Sequence, residues 1–156
     1  MDKTIEQQVR DLAAREEIKE LTARYCLHVV RGEGEAVVQL FTEDGVFDGT
    51  NAGINVARGR QALLEFYKAV REPEQAIPFI HNHIIEVDGD LASGTCALEG
   101  RFVRKGESYT GAGMYEDKYR KENGKWRFAE RKLRFYHMVP LKTGWAEAAR
   151  ETKSKS

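Results

Sequence analysis

Tyr119-Arg120-Lys121-Glu122-Asn123-Gly124-Lys125-Trp126-Arg127-Phe128 is the stretch that decides the fold. A type I′ turn needs positive φ at both central residues, and Asn-Gly meets that need at the least steric cost. The runs on either side, Tyr109 to Lys121 and Lys125 to Val139, favour strand. Upstream, Asp88-Gly89-Asp90 separates Ile80–Val87 from Leu91–Val103, and Lys105-Gly106-Glu107 separates the latter from Tyr109. Three hairpin signals in succession predict a four-stranded antiparallel meander. Long twisted strands curl.

The first half of the chain has a different period. From Thr4 to Arg31, apolar residues at Ile5, Val9, Leu12, Ala13, Ile18, Leu21, Tyr25 and Val29 follow a 3.6-residue repeat, and Gly32 and Gly34 stop it. A short helix is predicted over Glu35–Phe41, a short strand over Val46–Asp48, a loop over 49–58, and a third helix over Gly59–Val70. Helices segregated from an antiparallel sheet define the α+β class. The expectation is a cone: a curved antiparallel sheet wrapped on three N-terminal helices, with a cavity at its wide end. Residues 1–145 form one domain, and 146–156 form a polar tail that frays.

The chain has 156 residues, 41% of them hydrophobic, enough for one core. Lys plus Arg equals Asp plus Glu, 25 each, so there is no basic footprint for nucleic acid. No apolar run approaches the roughly 18 residues of a membrane span. The polar start Met1-Asp2-Lys3-Thr4-Ile5-Glu6 lacks a signal core, and Cys26 and Cys96 form no ligand spacing. Both cysteines are read as reduced, buried and small, which points to the cytoplasm. No dinucleotide fingerprint, phosphate loop or nucleophile elbow is present, so no cofactor and no metal are expected.

The candidate site residues come from the cavity side. His81 and His83 are two apart on a predicted strand, so strict alternation puts both on one face, where an imidazole could shuttle protons. Tyr25 lies on the apolar stripe of the first helix and needs a hydroxyl partner when buried. His28 follows three residues later on roughly the same face. Arg131 and Arg134 lie on the last strand, on opposite faces unless a bulge intervenes; either could steady an oxyanion. Phe47, Phe79, Phe102, Tyr109, Tyr115, Tyr119 and Tyr136 would make the wall aromatic. A ligand of that shape is flat and apolar. Leu98, Met114 and Leu133 are expected on the outer sheet face, as an association surface for a homo-oligomer, a dimer first and then a trimer.

The sequence resembles the SnoaL-like family of the nuclear transport factor 2-like superfamily. The resemblance spans roughly residues 5–140. It rests on Ile18–Cys26, Leu40–Phe47, Ile85–Ala92, Tyr115–Tyr119 and Gly124–Arg131 in that order. It implies the cone-shaped, cystatin-like fold and cofactor-free proton chemistry on apolar small molecules, as in dehydratases, dehydrochlorinases, cyclases and lyases. The implied function is a lyase or dehydratase acting on a hydrophobic, aromatic, hydroxylated molecule. The alternatives are an isomerase or cyclase, and a non-catalytic binding or assembly module. The resemblance implies a pocket Tyr at Tyr25. It matches Arg131 to an Arg of the closing motif. It places His81 and Arg134 at the pocket His and Arg of the bile-acid dehydratase. The implied catalytic set is therefore Tyr25, His81 and Arg131, with His28, Phe47, His83, Tyr115 and Arg134 binding substrate. Several of these enzymes pair the pocket His with an acid near the end of the first helix. Here that place falls at about Val30, and no Asp or Glu occurs between Glu20 and Glu33.

Overall fold

The computed structural model describes residues 2–70 and 75–144; the expected tail at 146–156 lies outside them. Helix α1 spans Ile5–Arg31. A capping box starts it: Thr4 Oγ1 accepts the Gln7 N–H, and the Thr4 N–H donates to Gln7 Oε1. Gly32, at φ 67°, ends it in the left-handed conformation. Ala14, Ile18, Leu21, Thr22 and Tyr25 are buried against the sheet. Ile5, Val9 and Leu12 stay 79%, 58% and 59% exposed, so the apolar period continues past the core it serves.

Helix α2 (Gly34–Gln39) ends earlier than its apolar residues suggest, and strand β1 (Phe41–Asp48) starts earlier. The reason is tertiary. The Phe128 N–H donates to the Leu40 carbonyl, and β1 runs parallel to β6 (Lys125–Pro140). The predicted loop 49–58 holds a single 3₁₀ turn, Thr50–Ala52, and a two-residue strand β2, Ala57–Arg58. Helix α3 covers Gly59–Ala69. Strands β3 (Gln75–Asp88), β4 (Leu91–Arg104) and β5 (Glu107–Glu122) complete the meander with β6. Asn123 and Gly124 have φ of 51° and 74°, as the hairpin requires.

The sheet order is β2-β1-β6-β5-β4-β3. It is a curved, unclosed six-stranded sheet with helices on its inner face, an α+β cone of the cystatin-like type. The meander is antiparallel throughout, and β1 adds one parallel pair at its β6 edge. Ile18, Phe41, Leu63 and Phe128 are fully buried where α1, α3 and the sheet meet.

Three bulges in the meander reset which residues face inward. One lies in β3 between His81 and Ile84, where Asn82 takes a φ of 50°. The others lie in β6, opposite Lys118/Tyr119 and opposite Ala112/Gly113. Each adds one residue and so reverses the alternation beyond it. The bulge opposite Lys118/Tyr119 turns Leu133 inward, and the unbroken alternation of β4 puts Leu98 there too, which corrects the expected outer apolar face. Leu98 and Leu133 point inward, at 2% and 6% exposure, and Met114 accepts the Tyr136 hydroxyl proton on the outside. Ion pairs Lys118–Glu130 and Arg134–Glu116 occupy the outer face instead.

Candidate active site

A cavity of about 250 Å³ lies between α1, α3 and the curved sheet. Its wall is apolar: Val29, Phe47, Ile54, Phe66, Leu98, Phe102, Leu133 and Phe135. Backbone makes room for it. A Cβ on Gly100 would sit 2.2 Å from the Phe102 ring, so the bare Gly100 lets that ring lie flat along β4.

The polar part of the wall is made of three tyrosines and Arg104. Tyr25 from α1, Tyr67 from α3 and Tyr115 from β5 all line the cavity. Tyr25 and Tyr67 share a hydrogen bond of 3.0 Å between hydroxyls, and the Tyr115 ring packs edge-on against Tyr25 with centroids 6.0 Å apart. All three phenols titrate above their ordinary value, because burial disfavours the phenolate. Tyr25 is held lower than the other two, because Arg131 and the neighbouring hydroxyls favour its anion. Either hydroxyl of the Tyr25–Tyr67 pair can donate to the other, and when Tyr67 donates, the Tyr25 proton is free for a ligand.

Arg131 lies beneath this cluster and is fully buried. Its guanidinium stacks 3.7 Å from the Tyr115 ring centre, 4.2 Å from Tyr25 and 4.4 Å from Phe128. Nε and Nη2 donate to the two oxygens of Asp117 at 3.0 and 3.1 Å, while Nη1 has no partner. Burial opposes the charge on Arg131 most strongly, but Asp117, Tyr115, Tyr25 and Cys96 together outweigh it, so the side chain stays a cation. Burial likewise pushes the Asp117 carboxyl up, and Arg131 pulls it back. Asp117 also accepts the Tyr119 hydroxyl proton at 2.9 Å. That leaves the Tyr119 oxygen to accept from His83 Nε2, 3.2 Å away. Burial first, then the charges of Arg131 and Lys19, lower His83 to about 4, so the ring is neutral near pH 7.

His83, Cys96 and Asp117 bring ligand-type atoms within 4.8 Å of one another. They do not suit a cation. Both Asp117 oxygens already accept from Arg131, whose positive charge stands beside the group. Burial raises the Cys96 thiol to about 11, which keeps it protonated. Cys26, expected to be buried, is only partly so.

Of the expected site residues, Tyr25, Phe47 and Tyr115 meet in the cavity wall. Arg131 touches the Tyr25 and Tyr115 rings rather than the cavity itself. His83 faces inward, but behind the cluster. His28 lines a neighbouring cavity. His81 and Arg134 lie on the outer face, paired with Glu99 and Glu116. The two histidines thus face opposite ways, contrary to strict alternation, because Asn82 inserts the extra residue between them. Arg131 and Arg134 do lie on opposite faces. Among the aromatics expected in the wall, Phe79 and Tyr136 are exposed. Tyr67, Phe66 and Phe135 were not singled out. Tyr67 had a usable signal, since a second Tyr on an apolar helix face is a candidate partner for the first.

Among the described residues no helix is long and apolar enough to cross a membrane. The profile of the SnoaL-like domain matches residues 10–132. No curated protein matches the chain. Among solved structures, a Mycobacterium tuberculosis protein of unknown function is 34% identical, with a TM-score of 0.72 over 80% of this chain and 77% of that one. A Novosphingobium aromaticivorans protein named as an aromatic ring hydroxylase is 25% identical, with a TM-score of 0.78 over 88% and 97%. Hexachlorocyclohexane dehydrochlorinase LinA-type3 from Novosphingobium barchaimii is 22% identical, with a TM-score of 0.76 over 86% and 94%, a likeness of fold alone. The matched span and the cone of helices and sheet agree: the chain belongs to the SnoaL-like domain family.

Proposed function

We propose that this protein is an enzyme that converts an apolar, oxygen-bearing small molecule, aromatic in shape, by proton transfer without a cofactor, as a lyase of the dehydratase type. One observation carries the reading: three tyrosines, two of them joined hydroxyl to hydroxyl, line a largely apolar cavity, with a buried guanidinium under two of their rings. A phenol in such a place donates a proton to a substrate oxygen. The pre-set charge of Arg131 then lowers the energy of negative charge developing at that point, with little reorganisation. Arg131 acts through Tyr25 and Tyr115 as a positioning residue. The Novosphingobium relative named as an aromatic ring hydroxylase supports a small apolar substrate.

A second reading has its own observation. Among the described residues the cavity wall holds no His, Asp or Glu, which favours a binding module over an enzyme. A screen of hydroxylated aromatic compounds, read by product mass, separates the readings. Loss of water or another small fragment supports a lyase, and unchanged mass with altered chromatographic mobility supports an isomerase or cyclase. Tight binding with no product from any compound, unchanged in Tyr25→Phe, refutes the enzymatic reading.

A further inference from the structure

A base for the tyrosine cavity stands next door. A second cavity of about 240 Å³ shares Val29, Tyr67, Val70 and Ala76 with the first, and its wall includes His28, Arg31 and Glu33. His28 lies three residues after Tyr25 on α1, so the two side chains are neighbours on the helix surface. The helix end builds the rest. Gly32 turns the chain back in the left-handed conformation, and the Glu33 N–H donates to the His28 carbonyl at 3.0 Å. That return brings Glu33 Oε2 to 2.5 Å from His28 Nδ1. A carboxylate accepts and does not donate, so Nδ1 carries the proton and Nε2 is left as a free acceptor. The His28 side chain keeps 23% of its surface and Glu33 44%, so a substrate can reach them.

We propose that His28, oriented by Glu33, is the general base of this site, and that the substrate spans both cavities. Its oxygen lies on the Tyr25 hydroxyl and its acidic C–H faces His28. The inference rests on the elimination reading above. In the step, Nε2 takes the proton from carbon, and the C–H electron pair becomes the new π bond. The bond to the leaving oxygen breaks and takes its own pair, and the Tyr25 proton neutralises that oxygen. The imidazolium so formed faces the Glu33 carboxylate. Water later returns the proton to Tyr25, and His28 releases its own to solvent. The substrate class is a carbon acid with a β-oxygen leaving group on a flat apolar body.

The test uses 5-nitrobenzisoxazole, a flat carbon acid. A base removes its C3 proton, the N–O bond breaks, and the yellow 2-cyano-4-nitrophenolate appears. The full chain is expected to accelerate this reaction over buffer. His28→Ala should lower kcat about 10²-fold, the scale of a general base, with KM within about twofold. Added imidazole should restore part of the His28→Ala rate and none of the Tyr25→Phe rate. Glu33→Gln should lower kcat, by less than His28→Ala does, at unchanged KM, and Glu33→Asp should recover part of it. Circular dichroism checks that each variant is folded. If Tyr25→Phe slows the reaction but His28→Ala does not, the tyrosine site stands and the base assignment is overturned alone. If the wild-type chain gives no turnover, or neither variant changes the rate, both the base assignment and the elimination reading are overturned.

Discussion

Replacing Arg131 by Met removes a cation and leaves the Asp117 carboxyl where water cannot reach it; both side chains have no exposed surface. Breaking such a pair from one side costs about 3–5 kcal/mol. The structure bounds the figure independently. Stranded without a cation, Asp117 escapes the cost of its charge by taking up a proton. Holding it protonated at pH 7 against an ordinary value of 3.8 costs about 4 kcal/mol, at 1.36 kcal/mol per unit. At pH 5 the same sum is about 1.6 kcal/mol. In the variant the folded carboxyl titrates above its unfolded value, so the folded state binds the extra proton and loses stability as pH rises. Arg131→Met should therefore lose about 4 kcal/mol at pH 7 and less than half of that at pH 5. In a chain of this length the larger loss lowers Tm by about 8–16 °C. Arg131→Met combined with Asp117→Leu leaves no buried charge and should recover most of the loss. Urea unfolding followed by circular dichroism and tryptophan fluorescence measures all three proteins at both pH values. A loss below about 1 kcal/mol at pH 7, an equal loss at pH 5, or a double variant no more stable than the single one would refute the reasoning.

Further outcomes follow from the same geometry. His83, neutral in the fold at about 4, contributes stability above pH 6.5 that is lost as pH falls through 6.5 toward 4. After allowance for partial exposure this is about 1–2 kcal/mol, and urea midpoints at pH 7 and 4.5 should show it in the wild type and not in His83→Gln. His81→Ala removes an exposed outer-face pair with Glu99, so stability should change by less than about 0.5 kcal/mol and turnover not at all; a hundredfold loss of kcat would restore His81 to the site. Tyr25→Phe leaves the hydroxyl of Tyr67 without its partner, and should cost about 1–2 kcal/mol in thermal unfolding. Gly100→Ala pushes the Phe102 ring toward the cavity, so binding of an aromatic ligand should weaken, by isothermal titration, while the chain stays folded.

The meander, its turns and the helical first half could be read from the sequence, because those signals are local. Asn123-Gly124 demands one turn geometry wherever it stands, and the 3.6-residue period of α1 marks a helix without reference to its neighbours. Tyr25 could be singled out on the same ground: a phenol on a buried helix stripe needs a partner. The tertiary structure alone decided the rest. β1 joins β6 in parallel, a pairing no short turn announces. Whether a strand residue faces the cavity depends on bulges, and one extra residue at Asn82 turns His81 outward and His83 inward. The β6 bulges likewise bring Arg131 under the tyrosines and Leu133 into the cavity wall. Tyr25, Tyr67 and Tyr115 come from three elements far apart in the chain, and Glu33 reaches His28 only because Gly32 folds the helix end back. Periodicity carries the direction of a side chain only as far as the next irregularity, and the site lies beyond several of them.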